Sequence, residues 1–153
     1  MIRIYTDGAA KGNPGPGGYG TIMKYGDHVK ELSQGFRLTT NNRMELLAVI
    51  AGLEAIKKDG IPVTIYSDSQ YVVNAVEKGW IWTWEKQNFK KKANSDLWQR
   101  YIPLHKKFKP KFVWIRGHNG HPENERCDYL AVKASSGFDL LVDSEYEQNK
   151  DDA

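Results

Sequence analysis

The chain alternates from its second residue, with Ile2, Ile4 and Thr6 on one side and Arg3, Tyr5 and Asp7 on the other. A period of two is that of a β-strand. This strand is apolar enough to be buried, yet it ends in a carboxylate followed by Gly8, which suits a site better than a core. Residues 11–18, rich in glycine and proline, break the pattern and predict an irregular turn. Residues 19–25 and 29–38 predict two further strands, with Gly26-Asp27 at the hairpin turn. Three strands on short connections predict an antiparallel meander.

The period changes at Thr39-Thr40-Asn41-Asn42, which are helix-capping residue types. Leu46, Val49, Ile50 and Leu53 follow at helical spacing, and Leu47, Ala51 and Ala55 widen the stripe, so this helix should be largely buried. Lys57-Lys58-Asp59-Gly60 supplies the charge and glycine that end a helix. Residues 63–68 read as a strand again, and strand–helix–strand predicts a parallel neighbour for the first strand. Ser69 can cap a short helix carrying Tyr71, Val72, Ala75 and Val76. Trp80, Trp82 and Trp84 fall in a short helical or irregular segment, in which packing suits Trp82 best. Ser95 or Asp96 can cap a further helix, which Pro103 should kink or shorten. Residues 111–116 predict the fifth strand, and Trp98 and Trp114 are expected in the core. Pro122 suits the first position of a last helix whose packed stripe is Cys127, Leu130, Ala131 and Ala134. The expected fold class is α/β: a five-stranded mixed sheet with helices packed on both faces.

At 153 residues the chain predicts one domain, burying roughly 70% of the surface an unfolded chain exposes. Nothing resembles a signal segment, and no stretch approaches the roughly 20 apolar residues of a membrane span. The single Cys127 excludes an internal disulfide and fits a reducing compartment, so a cytoplasmic location is expected. A monomer is expected because no apolar stripe is left unexplained. Charge is uneven: residues 86–111 hold nine Lys or Arg against Asp96, whereas residues 136–153 hold six acids against Lys150. The basic stretch fits either a polyanionic partner or a solvated helix face. The acidic stretch predicts a mobile, solubilising tail after a domain of residues 1–135.

Asp7 and Asp68 each terminate an apolar strand at its carboxyl end, where β/α units place ligands. Glu45 and Asp128 lie in the first turns of two helices. Taken singly, each acid has a plain role: turn former, solvated helix residue, N-cap or surface charge. Packed together without a cation they would repel and raise one another's pKa values. A pair of divalent ions removes that conflict, and all-oxygen ligation favours Mg²⁺ or Mn²⁺ over zinc. His118 and His121 near Cys127 offer a competing zinc cluster.

Several strings then occur in order: Thr6-Asp7-Gly8, residues 12–20 (GNPGPGGYG), residues 40–45 (TNNRME), residues 67–72 (SDSQYV) and residues 117–128 (GHNGHPENERCD). Together they resemble the motif set of bacterial type 1 ribonuclease H, from Met1 to about Ala134. The resemblance implies the ribonuclease H-like fold, with sheet order 3-2-1-4-5. It also implies metal-dependent endonucleolytic hydrolysis of the RNA strand of RNA–DNA hybrids, leaving 5′-phosphate and 3′-hydroxyl ends. Asp7, Glu45, Asp68 and Asp128 fall on that family's metal-binding acids, and His118 on a loop histidine that assists proton transfer or product release. Two Mg²⁺ ions per site are implied, with Mn²⁺ as a substitute.

The same resemblance places the hybrid. Gly8, Ala9 and Ala10 can approach its wide minor groove, where the 2′-hydroxyl marks RNA. Asn13, Asn41, Asn42 and Gln70 match amides that line the family's substrate groove. Thr40 and Asn94 match a phosphate pocket for the DNA strand. An arginine expected two positions before Thr40 is Leu38 here, with Arg37 adjacent. Trp80 and Trp84 with Lys86, Lys90, Lys91 and Lys92 resemble a basic protrusion that binds phosphates in a salt-sensitive way. A non-catalytic hybrid-binding module is the alternative, and a resolvase or transposase of the same fold another. Four clustered acids speak against the first, and the strings at 40–45 and 117–128 against the second.

Overall fold

The computed structural model describes residues 1–117 and 120–149. Its strands are β1 (Ile2–Ala10), β2 (Gly15–Tyr25), β3 (His28–Thr39), β4 (Val63–Ser67) and β5 (Lys111–Trp114). The helices are α1 (Asn41–Glu54), α2 (Gln70–Glu77), α3 (Trp80–Lys86), α4 (Ser95–Phe108), α5 (Pro122–Ser135) and α6 (Ser144–Asn149). The sheet runs β3-β2-β1-β4-β5, as expected. The first three strands form the antiparallel meander, and β1–β4 and β4–β5 pair in parallel.

Alternation divides the residues of the sheet between its two faces. On one face the Thr21 hydroxyl donates to the Ala48 carbonyl of α1 at 2.8 Å. Ile4, Ile65, Leu46, Val49, Ile50 and Leu53 are wholly buried in the core that α1 closes. On the other face Gly20 lies directly under α5: a Cβ there would stand 2.3 Å from the Cys127 carbonyl oxygen. Only glycine allows that approach.

The structure corrects several expectations. The glycine–proline stretch is not wholly irregular, because β2 starts at Gly15. Pro16 is exposed where the β2–β3 register shifts, a position that needs no ladder N–H. Helix α1 ends at Glu54, before the expected stop signal at residues 57–60. Helix α4 runs through Pro103 to Phe108, so the proline does not shorten it. Trp98 is fully buried, but Trp114 is 45% exposed. Trp114 ends an edge strand, and its indole N–H donates to the Asp68 carbonyl at 3.2 Å.

The largest correction concerns the acidic stretch after residue 135, which is docked through Asn149 and is no free tail over that span. Leu141 bridges to Phe36 on the β3 edge, and the Arg37 N–H donates to the Leu141 carbonyl at 2.9 Å. Asp143 is buried because its carboxylate accepts from Arg43 Nε at 2.8 Å, Arg43 Nη2 at 2.9 Å and Thr39 Oγ1 at 2.7 Å. A buried charge is retained when it is paired and hydrogen-bonded in this way. A compositional reading of a tail cannot see a partner a hundred residues away.

Candidate active site

Parallel pairing of Thr6 with Ser67 brings β1 and β4 to the same level, so Asp7 and Asp68 leave the sheet side by side. Glu45 arrives from α1. Its approach depends on Gly8, because a Cβ there would lie 2.4 Å from Glu45 N and 2.4 Å from Met44 C. An oxygen from each of Asp7, Glu45 and Asp68 falls within 4.8 Å of the others, the one cluster of potential metal ligands among the described residues. Asp128 lines the same cleft from α5, together with Gly8, Ala9, Asn41, Asn42, Ser69, Gln70 and Tyr71. The cleft has a volume of about 400 Å³.

Its electrostatics are those of acids held together against repulsion. Burial, then the charge of Asp68, pushes the Asp7 carboxyl up to about 7. Burial, then Asp7 and Asp68, holds Glu45 well above the usual carboxylate range. Asp7 Oδ1 accepts from the Gly8 N–H at 2.9 Å. Glu45 Oε2 is buried and has no hydrogen-bond partner. An orphaned buried carboxylate oxygen is costly, and here it faces two further carboxylates. These oxygen donors fit a hard divalent cation.

The zinc alternative gains no support among the described residues. Cys127 is buried, its thiol pushed up by burial and donating to the Tyr5 carbonyl at 3.2 Å, while His121 is exposed. His118, expected to assist proton transfer, lies outside the described residues.

The expected amide residues divide into two groups. Asn41 Oδ1 accepts from the Ala10 N–H, and Asn13 Oδ1 accepts from the Asn41 N–H at 2.9 Å, so this pair fixes the β1 exit against α1. Thr40 caps α1 by accepting from the Arg43 N–H at 3.2 Å. Asn42 and Gln70 are exposed at the cleft. Asn94 is engaged at both ends: Oδ1 accepts from Arg43 Nη1 at 3.4 Å, and Nδ2 donates to the Tyr71 hydroxyl at 3.0 Å.

Lys86, Lys90, Lys91 and Lys92 are all exposed. Phe89, which no motif singled out, is buried and anchors the loop that carries Lys90, Lys91 and Lys92. Trp84 is half-buried, edge-on to Trp98 at 5.7 Å, with the Lys92 ammonium 5.0 Å from its ring centroid. Trp82 is half-buried against His105, and Trp80 is 45% exposed near Lys78. Arg37, the neighbour of Leu38, is paired through two hydrogen bonds with Glu147 of α6.

Sequence reasoning missed three residues around the cleft. By spacing Tyr71 belongs to an apolar stripe, yet its hydroxyl accepts from both Asn94 and Trp98 Nε1. Arg43 is buried and joins Asp143 to Asp96, with bonds of 2.8 and 2.7 Å to the latter. Ser69 lines the cleft as well as capping α2. An arginine in a string of buried helix positions was the available signal for Arg43.

Comparison with known proteins decides the family. A family model described as RNase H matches residues 1–136. The chain belongs to the RNase H family. The ribonuclease H of Syntrophus aciditrophicus (strain SB) is 56% identical over 151 residues, covering 95% of this chain and 87% of that relative. The ribonuclease H of Desulforamulus reducens is 57% identical over 147 residues, covering 93% and 92%. Among solved structures, LC9-RNase H1, described as a type 1 RNase H with the type 2 active-site motif, aligns at a TM-score of 0.79 and 32% identity. That alignment covers 96% of this chain and 79% of the other. LC11-RNase H1 in complex with RNA/DNA hybrid aligns at 0.69 and 27% identity, covering 88% and 96%.

Proposed function

We propose that this RNase H-family chain hydrolyses the RNA strand of RNA–DNA hybrids, as a cytoplasmic monomer whose residues 1–135 carry the chemistry. The observation that carries the reading is the convergence of Asp7, Glu45 and Asp68 around a buried, unpartnered Glu45 oxygen. Asp7, Glu45, Asp68 and Asp128 would hold the metal. Two divalent ions, Mg²⁺ with Mn²⁺ as a substitute, would supply Lewis-acid activation of water and charge stabilisation on the departing 3′ oxygen.

The chain's own residues do the rest. Asp7 sits on the central strand, where pairing on both sides restricts its motion. Gly8 and Ala9 leave room at the cleft for a ribose, and Asn42 and Gln70 offer amides to its 2′-hydroxyl and to base edges. Asn13, Asn41 and Ala10 shape that surface through their mutual hydrogen bonds. Thr40 and Asn94 line a neighbouring cleft with Lys91 and Lys92, which suits the phosphates of the DNA strand. Trp80, Trp84, Lys86 and Lys90 extend the basic surface in a sequence-independent way. His118 is assigned proton transfer or product release on the family resemblance. Products carry 5′-phosphate and 3′-hydroxyl ends.

The test incubates labelled hybrid, duplex DNA and duplex RNA with the chain, with Mg²⁺ or with chelator. Cleavage confined to the RNA of the hybrid and dependent on Mg²⁺ is expected. Cutting of duplex DNA, or of hybrid under strict chelation, would overturn the reading.

A further inference from the structure

The docked C-terminal segment adjoins a second cleft of about 900 Å³ that shares Asn42 with the acidic one. Residues 91–96 bring to this cleft the ammonium donors of Lys91 and Lys92 and the Arg43-paired carboxylate of Asp96; α6 brings Glu145, Tyr146 and Asn149. Six residues are too few to hold a helix by themselves, so α6 owes its place to tethers. Asp143 supplies the main one. Besides binding Arg43 and Thr39, its Oδ1 accepts from the Tyr146 N–H at 3.4 Å. The bidentate Arg37–Glu147 pair and the Leu141 bridge add to it.

We propose that residues 143–149 form the outer wall of a subsite for a phosphodiester backbone of the hybrid, with Asp143 as the positioning residue. The inference rests on the proposed function. A polyanionic strand entering this cleft meets two lysines, an Asp96 carboxylate already paired with Arg43, and the Glu145 carboxylate, which has no cationic partner among the described residues. The wall therefore confines the strand and also moderates its affinity. Asp143 reaches residues 91–96 through one guanidinium: Arg43 binds Asp143, Asp96 and the Asn94 amide, and Asn94 binds Tyr71 at the edge of the acidic cleft. None of these bonds involves the acids that would carry the chemistry, so a disturbance here belongs in binding.

The full chain, Asp143→Asn and Glu145→Gln are compared in two measurements: hybrid cleavage with Mg²⁺, and hybrid binding in chelator, each at low and high KCl. Asp143→Asn is expected to raise Kd and KM about fivefold with kcat within about twofold, since its positioning acts in binding and not in the transition state alone. Glu145→Gln is expected to lower Kd about twofold at low salt, and the gain should vanish at high salt because an exposed charge is screened. A fall in melting temperature for Asp143→Asn with Kd and KM unchanged would reduce it to a structural residue and overturn the proposal. So would a Glu145→Gln variant that binds like the parent at both salts, a result that does not depend on how Asp143→Asn folds. If the unaltered chain cleaves and both variants match it, the wall alone falls. If the unaltered chain neither binds nor cuts hybrid, the proposed function falls and takes the wall with it.

Discussion

Asp7→Asn should make the metal-free chain more stable at neutral pH while abolishing cleavage. In the fold Asp7 is 6% exposed, and burial, then the charge of Asp68, pushes its carboxyl up to about 7 from an ordinary 3.8. Between those values the unfolded chain has released the proton and the folded chain still holds it. Stability therefore falls as pH rises through that window and is flat above it. A rise of about three units, at about 1.4 kcal/mol each, makes the ionised site costly by about 4 kcal/mol. Glu45, also raised by burial and by Asp7, pushes the slope in the same direction. The assay is urea unfolding in chelator, followed by tryptophan fluorescence, at several pH values between 4.5 and 7.5. The parent chain should lose stability towards pH 7, and Asp7→Asn should be flatter and more stable at neutral pH, by at most about 4 kcal/mol. Mg²⁺ should restore the parent and do less for the variant, because only a site that binds the ion in the folded state gains stability from it. A parent curve that is flat from pH 5 to 7.5, with no gain from Asp7→Asn, would refute the electrostatic account of the site.

Three other variants probe different parts of the same geometry. Gly8→Ala forces a methyl against α1 backbone atoms 2.4 Å away, so it should cost roughly 1–3 kcal/mol in urea unfolding. It should also sharply reduce Mg²⁺-dependent cleavage, because Glu45 is displaced. Arg43→Ala strands the carboxylates of Asp143 and Asp96, and should cost roughly 3–5 kcal/mol in the same unfolding assay. Replacing Lys90, Lys91 and Lys92 by alanine should weaken hybrid binding and flatten its salt dependence, by about 0.9 in log–log slope for each phosphate that is no longer neutralised. Cleavage at saturating hybrid should stay near the parent rate.

Local periodicity made most of the fold legible. Ile2, Ile4 and Thr6 announce β1, and the stripe from Leu46 to Leu53 announces a buried α1, because each pattern reports a face that water does not reach. The carboxylates were legible through their positions at strand ends and helix starts, without knowledge of any tertiary neighbour. What stayed hidden depends on distance along the chain. Trp114 has a core residue's composition, but edge placement leaves it exposed, and nothing in residues 111–116 says which strand is last. Asp143 looks like one more acid in an acidic tail, and only the arrival of Arg43 explains its burial. Asn94 was legible as a substrate residue on resemblance alone; its bonds to Arg43 and Tyr71 join three elements that no spacing connects.

The site is a by-product of strand register, which gives the core a direct part in it. Val63 and Ile65 on β4 are buried opposite Ile2 and Ile4 on β1, and that same pairing sets Thr6 against Ser67 and carries Asp7 and Asp68 out together. A slip of one residue would turn the apolar side chains of one strand to the other face of the sheet. Ile2, Ile4, Val63 and Ile65 are all buried in this register, and none of them depends on a bound ion. The apolar strands can therefore hold two repelling acids at one level without a cation present. Preorganisation of this kind spares the ion from assembling its own ligands. A cation then needs only to replace mutual repulsion with ligation, at an oxygen of Glu45 that has no other partner.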